Sequence, residues 1–144
     1  MNTALNNSLT KEKEFEHAAI YTVTDKPVIV VQATEEYIPI DEFKKVFQEA
    51  GRIVKEKKIA KLIFDKTALK VFHQPSMEWY FVEWKDQMAT LGLRDHVKIL
   101  PDDIVFKTSV KIGRDQLNKK YPDATFNKLS IIYHDTLKEA LDSK

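Results

Sequence analysis

The sequence predicts a single α/β domain with a mostly parallel sheet, on three observations. Val28-Ile29-Val30-Val31 is an unbroken β-branched run, the pattern of a central strand covered on both faces. Further apolar runs alternate with segments whose apolar residues recur at three- and four-residue steps, so strands alternate with helices. The third is the stretch from Lys61 to Leu91, KLIFDKTALKVFHQPSMEWYFVEWKDQMATL. It reads as a short buried strand closed by Asp65, a loop, and a helix crowded with rings. The remaining elements can be placed around that unit.

A chain of 144 residues fits one domain with a core of its own. Its 23 basic and 22 acidic side chains leave a net charge of +1, which argues against a nucleic-acid partner held by a basic surface. With no cysteine, disulfides, thiolate metal ligands and a cysteine nucleophile are excluded. No apolar run is long enough to span a bilayer, so membrane insertion is not expected. The opening MNTALNNSLTKEKE lacks the apolar core of a signal peptide, and the cytoplasm is the expected location.

Residues 1–13 are polar, with only Leu5 and Leu9 to bury, and read as a flexible arm ahead of a domain spanning 14–144. Ile20-Tyr21-Thr22-Val23 favours a strand. Asp25-Lys26-Pro27 supplies a short turn, which makes this strand an antiparallel neighbour of Val28–Val31. From Asp41 to Lys58, Phe43, Val46, Phe47, Ala50 and Val54 form one apolar stripe; acids come early and lysines late, as the helix dipole favours. Leu62-Ile63-Phe64 is the next strand. The helix after it begins near Pro75 or Ser76, with Ser76 as one candidate cap, and Gly92 ends it. Val97-Lys98-Ile99-Leu100 is a strand, and Pro101-Asp102-Asp103 opens a third helix with Phe106, Val110 and Leu117 inward. Gly113 is expected to weaken or kink it, and Pro122 bounds it. Leu129 to Tyr133 is the last strand, and Thr136-x-x-Glu139 has the form of a capping box opening a terminal helix. The predicted order is β-β-α-β-α-β-α-β-α.

That order, with Asp65 at a strand end, the Met77-Glu78-Trp79 to Glu83-Trp84 helix, Leu91-Gly92-Leu93 and Leu100-Pro101-Asp102-Asp103, resembles the SpoIIAA-like fold of STAS domains. Tyr133-His134-Asp135 to Glu139-Ala140 extends the likeness, which is nearest to small bacterial STAS-like proteins of the Bacteroidetes type and spans about Phe15 to Leu141. The resemblance implies a non-enzymatic protein-interaction or regulatory domain. It also implies a phosphorylated serine at the start of this helix. Ser76 is the matching position, but the acidic residue and glycine of the family's Asp-Ser-Ser-Gly-like turn are missing, since this turn reads Phe72-His73-Gln74-Pro75-Ser76-Met77.

Three readings of the site follow. In the first, the working surface is the loop Lys66–Gln74 with Asp65 and Thr67 at its head, the start of the second helix, and exposed rings of that helix. The partner is another protein or a second copy, as in a homodimer. Four large rings within six helical positions cannot all face one way, because successive residues turn by about 100°. Trp84 shares the face that packs on the sheet, whereas Trp79 points under a loop, into a pocket or onto a partner. In the second reading an apolar pocket lined by Phe64, Phe72, Trp79 and Phe106 holds a small apolar or lipid-like ligand. In the third, Asp65, His73 and Ser76 form a hydrolytic triad, although no G-x-S-x-G turn is present. His17, His73, His96 and His134 lack metal-ligand spacing and no carboxylates cluster with them in sequence, so no metal is expected. Without a glycine-rich phosphate loop, no nucleotide cofactor is expected either. The first reading is preferred, because the chain lacks surplus apolar length for a large cavity.

Overall fold

The computed structural model describes residues 9–142. Six strands form one sheet in the order of the chain: β1 (Leu9–Glu14), β2 (Ala18–Val23), β3 (Val28–Ala33), β4 (Lys61–Asp65), β5 (Asp95–Ile99) and β6 (Ser130–His134). The β1–β2 and β2–β3 pairs are antiparallel, and β3 through β6 run parallel. The expected α/β class, mixed sheet and flanking helices are all present. No helix among the described residues is long and apolar enough to cross a membrane.

The helices are α1 (Ile40–Lys57), α2, α3 (Ile104–Lys120) and α4 (Leu137–Asp142), with a 3₁₀ turn at Thr125–Lys128. Helix α2 is built of three consecutive pieces: an α-helical Gln74–Glu78, a π-helical Trp79–Trp84 and an α-helical Lys85–Thr90. Helices α1, α2 and α3 contribute to the larger core on one face of the sheet. On the other face, a smaller cluster joins Val30, Ile63, Val97 and Ile99 to Ala140 of α4.

Leu9 to Lys13 are not part of a flexible arm. They lie in β1, an added edge strand, with Leu9 against Val23 and the Glu12 carboxylate accepting from Thr22 Oγ1 at 2.6 Å. Alternating lysine and glutamate disguises the strand, and charged side chains are what a sheet edge carries to resist further pairing. Leu5 lies outside the described residues. Two boundaries also differ in kind. Helix α2 starts at Gln74 with His73 in the capping position, and Ser76 is a buried residue of the first turn rather than a cap. Helix α3 runs through Gly113 without a break. The missing Cβ serves packing there: a methyl group at Gly113 would lie 2.9 Å from Phe72 Cζ and 3.2 Å from Met77 Sδ. Its opening is capped as the two aspartates implied, with Asp103 Oδ1 accepting from Val105 N and Phe106 N.

The π segment settles how the rings of α2 are distributed. A wider turn brings residues i, i+1, i+4 and i+5 to one side, so Tyr80, Phe81, Trp84 and Lys85 all point at the sheet and all are buried. Trp84 donates its indole N–H to the Phe47 carbonyl at 2.6 Å, and Tyr80 stacks on Trp84 with centroids 5.4 Å apart. Trp79 is left on the flank, edge-on to Phe43.

Candidate functional site

The carboxyl end of β4 hands the chain to the loop that reaches α2, the position where open α/β sheets bind ligands. A pocket opens there between the loop, the start of α2 and the first turn of α3. Its walls include Phe43, Phe64, Leu69, Phe72, Met77 and Phe106, and they enclose a small cavity of about 50 Å³ whose mouth is open to solvent. Phe72 meets Phe106 edge to face with ring centroids 6.1 Å apart. Five polar side chains interrupt the apolar lining: Tyr37, Lys66, His73, Ser76 and Tyr80. The His73 Nδ1 and Ser76 Oγ atoms are 2.9 Å apart and share a hydrogen bond.

Lys66, the first residue past β4, is the unusual one. Its side chain lies over the Phe64 ring with Nζ 4.8 Å from the centroid. It has no carboxylate partner among the described residues, and burial holds its amine down to about 8. Only 7% of the residue is exposed, and it is one of the residues that line the pocket.

Behind the Tyr80 ring lies a second group of basic side chains. Lys85 of α2 and Lys98 of β5 are both fully buried. Their Nζ atoms sit 3.9 and 4.1 Å from the centroid of Phe81, and 4.9 and 5.0 Å from that of Tyr80. Neither amine has a hydrogen-bond partner among the described residues, and the same holds for both ring nitrogens of His96 and for Tyr80 Oη. Burial drives both lysines well below their ordinary value; the Lys66 charge adds to the penalty on Lys85, and the Lys85 and Lys66 charges to that on Lys98. Burial first, then Lys85 and Lys98, push His96 down to about 2. Tyr80 moves the other way, raised by burial. Sequence reading passed over this chamber, yet a signal was present. A parallel strand between two layers should read apolar throughout, and β5 instead carries His96 and Lys98 at alternate positions.

The residues singled out in the sequence divide between several places. Phe64, Phe72, Phe106, His73 and Ser76 meet at the pocket. Asp65 does not join His73 and Ser76: its Oδ1 accepts from Thr67 N at 3.0 Å and Thr67 Oγ1 at 2.5 Å, and its Oδ2 from Gln32 Nε2 at 3.1 Å. That carboxylate closes the loop onto the sheet, so Thr67 is its partner. Trp84 is core. Trp79 does not line the pocket as expected; it borders a shallow groove with Lys44, Glu78, Val82 and Tyr121. One position along the helix from Tyr80 is enough to turn its ring toward α1. At another edge, Glu16, His17 and Glu42 do come together, contrary to the sequence spacing, because the start of α1 folds back onto the start of β2. Glu42 receives the His17 backbone N–H at 2.8 Å and faces its ring at 2.9 Å, which raises the histidine. One carboxylate oxygen is thereby occupied by a backbone N–H and the other by the imidazole.

No family model matches the chain, and neither a curated protein nor a solved structure matches it.

Proposed function

We propose that this protein binds a small, largely apolar molecule whose polar head lies against Lys66. The observation that carries the reading is the chemistry of the pocket: aromatic and aliphatic walls converge on one amine that no acidic side chain neutralises. Few polar groups in a mainly apolar cleft are what orient a ligand while burial supplies the affinity. His73 and Ser76 offer a second polar contact on the wall. Native mass spectrometry of freshly purified protein should show co-purifying mass, and cinnamyl alcohol should bind on calorimetric titration. Both signals should fall in Phe72→Ala while the circular dichroism spectrum is kept. A clean spectrum together with no measurable heat of binding would sink the reading.

A second reading, the STAS-like interaction module, draws on a different observation. Trp79 is half-buried beside a groove, with Lys44 Nζ 5.8 Å from its ring centroid. Aromatic rings beside a cation are common in protein interfaces. In that reading Trp79→Ala weakens association in light scattering or pull-down and barely moves the melting temperature. A large loss of stability with unchanged association would return Trp79 to the core.

A further inference from the structure

We infer that Lys66 is a covalent site: its Nζ forms a reversible imine with a small apolar aldehyde or ketone seated in the pocket. The inference rests on the reading of that pocket as a ligand site and names the chemical class of its occupant. Imine formation requires an amine that is accessible, free of a carboxylate partner, and neutral in a useful fraction of molecules. Lys66 meets the first two by placement. It follows β4 directly, borders the pocket, and has no ion-pair partner among the described residues. Burial favours its uncharged form, against the cation–π contact with Phe64; Lys85 and Lys98 are the basic groups nearest it from α2 and β5. An amine at about 8 is roughly 10% neutral at pH 7, some two orders of magnitude more than an ordinary lysine.

The step balances without any oxidant or reductant. The Nζ lone pair adds to the carbonyl carbon, the C–N bond forms, and the carbonyl π pair passes to oxygen. One N–H proton moves to that oxygen to give a carbinolamine. The C–O bond then breaks and water leaves with the second proton, giving the imine. His73 and Ser76, already hydrogen-bonded on the pocket wall, stand where a proton relay to the departing oxygen is useful. The walls keep bulk water from driving the imine back.

Lys85 and Lys98 provide an internal control. Their amines are as apolar in setting as Lys66, but they are sealed behind Tyr80 and border no comparable opening. Reactivity that follows burial alone would label all three; reactivity that requires the pocket labels Lys66.

The test treats the full chain with cinnamaldehyde and cyanoborohydride, which fixes the imine as a stable secondary amine. Peptide mapping of the wild-type protein then locates it. Modification at Lys66 should be at least about tenfold faster than at exposed lysines at pH 7, with a rate that rises with pH and levels above about 8. Lys66→Met should remove that peptide's label. Labelling spread evenly over surface lysines, or found at Lys85 and Lys98 instead, overturns the inference. Cinnamyl alcohol has the same shape without the carbonyl, and it separates the two levels of the argument. If the alcohol binds and no label appears at Lys66, the covalent role fails and the pocket stands. If neither binds, both fail.

Discussion

Lys66 and the Lys85–Lys98 pair lie on the same face of the sheet, separated by the Tyr80 ring, and meet burial in different ways. Lys66 keeps one side toward an open pocket, and its amine falls only to about 8. The pair behind it has no opening and is driven much further. Since the three side chains are chemically alike, the contrast isolates what a few ångströms of access to water change. An amine beside water remains available for chemistry. A sealed one is a cost to folding, because the unfolded chain holds a proton that the native state does not welcome.

The largest expected effect follows from that cost. Methionine has nearly the volume of lysine without the amine, and a buried amine left without a hydrogen-bond partner costs about 1–3 kcal/mol that a packed apolar group does not. Lys85→Met and Lys98→Met should therefore raise the urea midpoint, and Lys66→Met should gain less, because its amine is driven down less far and the residue borders the pocket. Equal gains at all three positions, or a loss at Lys98, would erase the distinction between the two regions.

A second, smaller effect sharpens the comparison through pH. The His96 ring is held at about 2 by burial and by Lys85 and Lys98, against an ordinary value near 6.5. Between those values the unfolded chain binds a proton and the native chain does not, so stability falls as pH is lowered through that window. At pH 4 the loss attributable to this one ring is roughly 3 kcal/mol. His96→Leu should unfold at lower pH than wild type, with a stability difference that is flat above pH 7 and widens steadily below 6.5. A difference that stays flat down to pH 4 would mean that water or charge reaches the chamber.

How much of this was legible depended on the residue. Continuous apolar strands and a helix stripe such as Phe43–Val46–Phe47 have one physical interpretation, so β3, β4 and α1 follow from the text. Three of the pocket's aromatics were legible as well, since Phe64, Phe72 and Phe106 lie at element ends that a βα crossover brings together. The charged residues were not. Glu83-Trp84-Lys85-Asp86 looks like a solvated helix face, and only the extra residue per turn of the π segment rotates Lys85 inward. Val97-Lys98-Ile99 looks like a strand with one wet face, and only the helices above it make that face dry. Strand β1 hid for the converse reason, its charges belonging to an edge.

The smallest expected effect concerns the wall between α3 and the start of α2. Alanine at Gly113 gains about 1 kcal/mol of helix propensity. Its methyl group would strike the Gln74 amide oxygen first, then meet the Phe72 ring tip at 2.9 Å and Met77 Sδ at 3.2 Å, which forces these neighbours aside at a cost of about 1–3 kcal/mol. The two terms nearly cancel, so Gly113→Ala should lower the unfolding free energy by no more than about 2 kcal/mol. Phe72 is a wall of the pocket and is not part of the lysine chamber, so the substitution should move the two regions apart in behaviour. Binding of cinnamyl alcohol should weaken severalfold, while the acid unfolding profile set by His96 stays where it was. If the acid profile shifts with the binding, the pocket and the chamber are one cooperative packing unit, and Tyr80 transmits strain between them rather than dividing them.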